Sequence, residues 1–172
     1  KIGREVFAAA PGLRLICEFA TGYDNIDLVA ARERGVAVCN VPAYSTDSVA
    51  LFTLATALSL VTHLETYSGY VRSGEYSSSG APNRLTPAYH ELTGKTWGIL
   101  GCGNIGGRVA QVAGALGMKV IVSQRHPHPL YPTVDVDALC RESDILSIHC
   151  PLNDSTRGII DRPRLELMKR TA

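Results

Sequence analysis

The sequence predicts an α/β fold built on a parallel sheet, on three observations. Short apolar runs alternate with helix-period segments; one run leads through a glycine cluster into a helix and a second run, a β-turn-α-β unit; and 172 residues at 45% hydrophobic and 19% charged suffice for a packed core. The strands are expected at residues 13–17, 36–39, 96–100, 120–123 and 145–149, each short, apolar and followed by turn or ligand-type residues. Between them, helical periodicity covers residues 26–34 up to Gly35, with Asp24 or Asn25 available to cap the first turn. Further helices fall at residues 104–116, ending at Gly117, near 136–142, and near 164–169 with Pro163 in the first turn.

One helix is expected to be unusually long. Ser45, Thr46 and Asp47 offer a cap, and periodicity then runs to about Arg72, a rod of roughly 40 Å at 1.5 Å per residue. Its segment from Val49 to Val61 is apolar almost all round, so it needs covering on more than one side, and a homodimer contact is expected there. Thr53, Thr56 and Ser59 interrupt the segment, which falls short of the roughly 20 apolar residues that span a bilayer. Residues 73–93, rich in Gly, Ser, Pro and Tyr, read as a loop.

Composition narrows the function. Seventeen Lys and Arg against sixteen Asp and Glu, with no basic run, leave no electrostatic footprint for nucleic acid or an anionic membrane. Cys17, Cys39, Cys102, Cys140 and Cys150 are scattered and form no Cys-x-x-Cys pair; they read as reduced core thiols of a cytoplasmic protein. No His, Asp and Glu spacing suggests a metal site, and His63, His90, His126 and His128 read as surface or packing residues.

The chemistry lies in Gly101-Cys102-Gly103-Asn104-Ile105-Gly106, which stands between a strand and a helix. Gly101 permits the tight turn, Gly103 lets a pyrophosphate approach the backbone, and Gly106 lets helix and strand pack closely, the pattern of a Rossmann-like dinucleotide site. Amides of Asn104 and Ile105 at the helix start then face the phosphates. The ribose-reading position after the next strand holds Ser123-Gln124-Arg125-His126, with no carboxylate. Gln124 and Arg125 remove the repulsion of a 2′-phosphate and supply a guanidinium, which points to NADP, or to tolerance of both NADP and NAD. The three strands from residue 96 onward are expected in the order 3-2-1, leaving one edge of residues 96–100 bare, as in a fragment of a longer polypeptide.

Several blocks together resemble the D-isomer-specific 2-hydroxyacid dehydrogenase family. They are residues 20–27 (Ala-Thr-Gly-Tyr-Asp-Asn-Ile-Asp), 40–46 (Asn-Val-Pro-Ala-Tyr-Ser-Thr), 48–50 (Ser-Val-Ala), 92–96 (Leu-Thr-Gly-Lys-Thr), the glycine turn, and 143–152 (Ser-Asp-Ile-Leu-Ser-Ile-His-Cys-Pro-Leu). Leu51 departs from the family's usual Glu. The resemblance implies residues 1–43 as the C-terminal part of a flavodoxin-like substrate domain and 44–172 as the N-terminal part of a Rossmann-like NAD(P)-binding domain, joined by the long helix. It implies that Ala20, Thr21 and Gly22 bind the substrate carboxylate, with Thr21 also near the cofactor. It further implies that Asn104, Ile105, Gln124, Cys150 and Pro151 line the cofactor. The activity implied is hydride transfer between NAD(P) and a small 2-oxo acid or D-2-hydroxy acid; a non-catalytic dinucleotide-sensing module of co-repressor type is the alternative. The family's catalytic Arg, Glu and His belong to later blocks, so no catalytic residue is assigned in this chain, which is expected to be inactive alone. His149 has no carboxylate partner and reads as structural or cofactor-adjacent rather than a general acid.

Overall fold

The computed structural model describes residues 1–172, which form two compact units: Lys1–Thr46 with Cys150–Ile159, and Asp47–His149 with Ile160–Ala172. The first unit holds α1 (Arg4–Ala9), β1 (Leu15–Cys17), α2 (Leu28–Glu33) and β2 (Ala37–Cys39). Its two strands pair in parallel, with Leu15 opposite Ala37 and Cys17 opposite Cys39. A small core of Phe7, Ile26, Ala30, Ala31 and Val36 holds the two helices to this ribbon. Helix α2 is capped by Asp27, whose carboxylate accepts from the Ala30 amide at 2.9 Å. The expected caps, Asp24 and Asn25, lie upstream of the helix start, and the Asn25 side chain instead donates to Glu18. Cys17 and Cys39 also depart from expectation, since both face outward on their strands; only Cys140 is fully buried, and all five thiols are unpaired.

The second unit carries α3 (Thr46–Thr62), α4 (Leu64–Arg72), α5 (Glu75–Ser78), β3 (Thr96–Leu100), α6 (Asn104–Ala115), β4 (Lys119–Ser123), α7 (Val136–Glu142), β5 (Ile145–Ile148) and α8 (Arg162–Leu167). The sheet order is β4-β3-β5, all parallel, with Leu100 beside Ser123 on one side and Ile148 on the other. This corrects the expected 3-2-1 order. The third position beside β4 is held only by a bridge between Val122 and Thr133, with backbone bonds from Val122 to Pro132 and from Val134 to Val122. Residues 145–148 cross to the other side of β3, so β3 is central and the open edge belongs to β5.

Both faces of β3 are covered. Trp97 and Ile99 pack with Val109, Ala110 and Ala113 of α6 and with Ala50 and Leu54 of α3. On the other face Gly98 lets α7 close in: a Cβ there would stand 1.9 Å from the Ser143 hydroxyl and 3.2 Å from Leu139 Cδ1. The expected rod is broken. His63 adopts a left-handed conformation (φ 51°, ψ 38°), and α4 leaves at 67° to α3. Thr53 and Thr62 hydroxyls donate back to the carbonyls of Val49 and Leu58, a pattern that bends helices and competes with their continuation. Seventeen residues make α3 only about 25 Å long. Its Ala50 and Leu54 are buried, while Leu51, Phe52 and Leu60 are about 70% exposed, so its own unit covers one side alone. Within the expected loop, residues 75–78 form the short α5, entered through Gly74 in the left-handed region. No single helix is long and apolar enough to cross a membrane.

Candidate functional site

At the end of β3, Gly101 turns the chain with φ at +89°, a region L side chains rarely adopt, and its amide donates to the Ser123 carbonyl at 2.9 Å. The turn is thereby fastened to the end of β4. Gly103 caps α6 with no side-chain bond, and the first intrahelical donor is the Gly107 amide, 2.7 Å from the Gly103 carbonyl. The amides of Asn104, Ile105 and Gly106 therefore have no acceptor within the helix. The space in front is open: nothing lies within 4 Å of a Cβ placed on Gly103. Behind it, contact is as close as it can be, because a Cβ on Gly106 would sit 2.3 Å from the Gly101 carbonyl oxygen and 3.1 Å from Ile99 Cγ2.

This arrangement fits a diphosphate. Three convergent N–H groups and the positive end of a twelve-residue helix favour an anion, and the opening is made of glycine backbone that an anion can approach. Burial pushes the Cys102 thiol up from its usual range, so no thiolate opposes the anion.

At the end of β4, Ser123 is buried and Gln124 is half-buried, its amide nitrogen donating to the His126 carbonyl at 2.9 Å. Arg125 is exposed and paired with no carboxylate. In the parallel sheet Gly101, Gly103, Asn104, Ile105, Gly106, Gln124 and Arg125 all follow the C-terminal ends of β3 and β4, the edge at which α/β folds take ligands.

His149 follows β5 at the same edge. Its amide donates to the Leu100 carbonyl at 2.8 Å, and its Nε2 lies 3.0 Å from the Ser147 hydroxyl. Burial holds this imidazole below the usual histidine range.

In the other unit, Ala20, Thr21 and Gly22 form the loop after β1, with Gly22 exposed. The loop is braced from the stretch after β2: Asn40 Nδ2 donates to the Thr21 carbonyl at 2.8 Å, the Val41 amide to the Ala20 carbonyl at 3.1 Å, and the Thr21 hydroxyl to the Val41 carbonyl at 3.3 Å. Asn40 is a positioning residue that residue-type reasoning passed over, although it opens one of the blocks quoted above. Cys150 and Pro151 begin the stretch Cys150–Ile159 of this same unit, where the Pro151 carbonyl accepts from the Thr156 hydroxyl at 2.5 Å.

A groove of 770 Å³ lies elsewhere, along β5 and α3, lined by Phe52, Thr56, Leu60, Trp97, Leu146 and Met168 among others. None of the glycine-turn residues lines it. Its walls are mostly apolar and it runs along the open edge of β5, a poor match for a charged dinucleotide.

Residues 54–172 match the family model described as D-isomer specific 2-hydroxyacid dehydrogenase, NAD binding domain, and residues 1–71 match the model of that family's catalytic domain. A glyoxylate reductase of Aeropyrum pernix is 38% identical over 185 residues, which take in 100% of this chain and 53% of the relative. Among solved structures, D-lactate dehydrogenase of Aquifex aeolicus, complexed with NAD and lactic acid, aligns with a TM-score of 0.89 at 33% identity, over 98% of this chain and 51% of that one. An acyclic imino acid reductase in complex with NADPH and D-Arg aligns with a TM-score of 0.87 at 30% identity, over 98% and 54% of the two chains. The chain spans about half the length of the curated relatives it matches.

Proposed function

This chain belongs to the D-isomer specific 2-hydroxyacid dehydrogenase family, and on that ground we propose that it carries the cofactor-binding turn and part of the substrate loop of an NAD(P)-dependent oxidoreductase acting on a small 2-oxo acid or D-2-hydroxy acid. The observation that carries the proposal is the glycine turn, with three unpaired helix-start amides before an open space. When bound, the nicotinamide dinucleotide supplies or accepts the hydride. The chain's own residues do the holding. Amides of Asn104, Ile105 and Gly106 take the diphosphate, while Gly101 and Gly103 keep side chains out of its path and Gly106 keeps the helix start against the turn. The loop Ala20–Thr21–Gly22 takes the substrate carboxylate through its backbone, with Asn40 fixing the orientation of the Thr21 peptide.

The cofactor is NADP in preference to NAD. What supports this is Arg125, exposed and unpaired beside Gln124, at a position where no carboxylate would repel a 2′-phosphate. Similar structures bind either dinucleotide, the lactate dehydrogenase NAD and the imino acid reductase NADPH. The exposed Leu51, Phe52 and Leu60 of α3 support a homodimer through the helix containing Val49 and Val61, and the five unpaired thiols fit a cytoplasmic setting.

The test is a titration followed through the single tryptophan, Trp97. NADPH is expected to bind more tightly than NADH, and Arg125→Ala to weaken NADPH by about tenfold or more, the scale of one charge-assisted hydrogen bond, with NADH unchanged. An NADH preference above tenfold contradicts the reading of Gln124 and Arg125.

A further inference from the structure

Trp97 is completely buried, and its indole N–H, which can only donate, has one acceptor: the Ser147 hydroxyl oxygen at 2.9 Å. Ser147 is 9% exposed, and its own hydroxyl hydrogen has one acceptor in reach, His149 Nε2 at 3.0 Å. These two contacts leave a single consistent assignment. If Ser147 donates to His149, then Nε2 carries a lone pair and the ring hydrogen sits on Nδ1. Placing the hydrogen on Nε2 instead would aim two donors at Ser147 and strand its hydroxyl hydrogen in the core, which costs more than forming the bond gains. The chain thus selects the tautomer that free histidine populates less.

The ring is placed to use it. Ser147 stands in register with Ile99, whose side chain packs on the α6 face, and His149 lies two residues further along the same face. Its amide is bonded to Leu100, the residue before Gly101, so the backbone of His149 stands one strand across from the glycine turn. No buried side-chain nitrogen lacks a partner, so Nδ1, which has none within the chain, is reached by solvent.

We propose that Trp97 and Ser147 act as a positioning relay that holds His149 as a neutral Nδ1–H donor to an oxygen of the dinucleotide seated on the Gly101 turn, a role that rests on the reading of that turn given above. His149 is then a binding group that keeps its proton. The burial that already disfavours the imidazolium works in the same direction.

The test is two-dimensional NMR of the histidine ring nitrogens in the 15N-labelled chain, with His149 assigned by its loss in His149→Gln. Without ligand, the relay gives a protonated Nδ1 and a bare Nε2. Ser147→Ala moves the ring toward the Nε2–H form and weakens NADPH about fivefold, the scale of one neutral hydrogen bond. Ser147→Thr, which keeps the hydroxyl, restores both. On adding NADPH the Nδ1 proton shifts while Nε2 stays in place. An Nε2–H ring in the free protein overturns the relay, as does a tautomer indifferent to Ser147→Ala. NADPH binding that leaves the Nδ1 proton unmoved overturns the donor role while the glycine-turn reading stands. Absence of Trp97 quenching by both NADPH and NADH overturns that reading and the donor role together.

Discussion

The two units hold their loops by different means. In the second unit, every residue of β3 after Thr96 and of β4 after Lys119 is buried, and the turn beyond β3 takes its shape from backbone contacts that the core itself enforces: Gly106 against Gly101, Gly101 against Ser123. In the first unit, β1 and β2 bury neither end residue, and the loop after β1 depends on a few hydrogen bonds from Asn40, Val41 and Thr21. A site built on packing tolerates little added volume. A site built on side-chain hydrogen bonds loses order one bond at a time.

That contrast can be broken by two substitutions of very different size. Gly98→Ala adds one methyl group in the second unit, at 1.9 Å from the Ser143 hydroxyl, and is expected to destabilise by about 1–3 kcal/mol in thermal unfolding. Ser143 cannot simply rotate aside, because its hydroxyl donates to the Leu139 carbonyl in a buried setting. Adding Ser143→Ala should recover part of the loss, and two additive effects would show that the helix and strand do not meet through this pair. Asn40→Ala removes a whole hydrogen-bonding side chain in the first unit yet costs only about 1 kcal/mol, because the position is half-buried. Its signature is local: amide exchange around Thr21 and Gly22 speeds up about fivefold while the second unit is unchanged. Uniform acceleration across both units would show that the brace is part of one cooperative core.

What could be read from residue order follows from what each feature depends on. The glycine turn and strands β3 and β4 rest on local spacing and short-range apolar runs, and both are visible before any folding. The family blocks extended that reading to the Ala20–Gly22 loop. Strand order is not legible in the sequence because periodicity reports which residues are buried and says nothing of the side on which a strand docks; residues 132–134 fill the place beside β4 with one bridge and no apolar run to announce it. The break in the long helix is not legible in the sequence, because α-periodic apolarity continues through Val61 and Leu64, whereas the break comes from the backbone of one residue, His63. Asp27 rather than Asp24 or Asn25 caps α2 because Ile26 is drawn into a bridge with Ile2, a partner 24 positions away. The Trp97–Ser147–His149 relay is half legible: spacing of two places Ser147 and His149 on one face, but only the sheet register brings Trp97 across to them.

The central claim is that the backbone after Leu100 holds a diphosphate, and amide NMR of the 15N-labelled chain during NADPH addition tests it most directly. The account predicts that the largest shifts fall on the amides of Gly103, Asn104, Ile105 and Gly106, and that Gly106→Ala, which forces a Cβ onto the Gly101 carbonyl, abolishes them. Shifts confined to the apolar groove of Phe52, Leu60 and Leu146, with the glycine-turn amides unmoved, would contradict it.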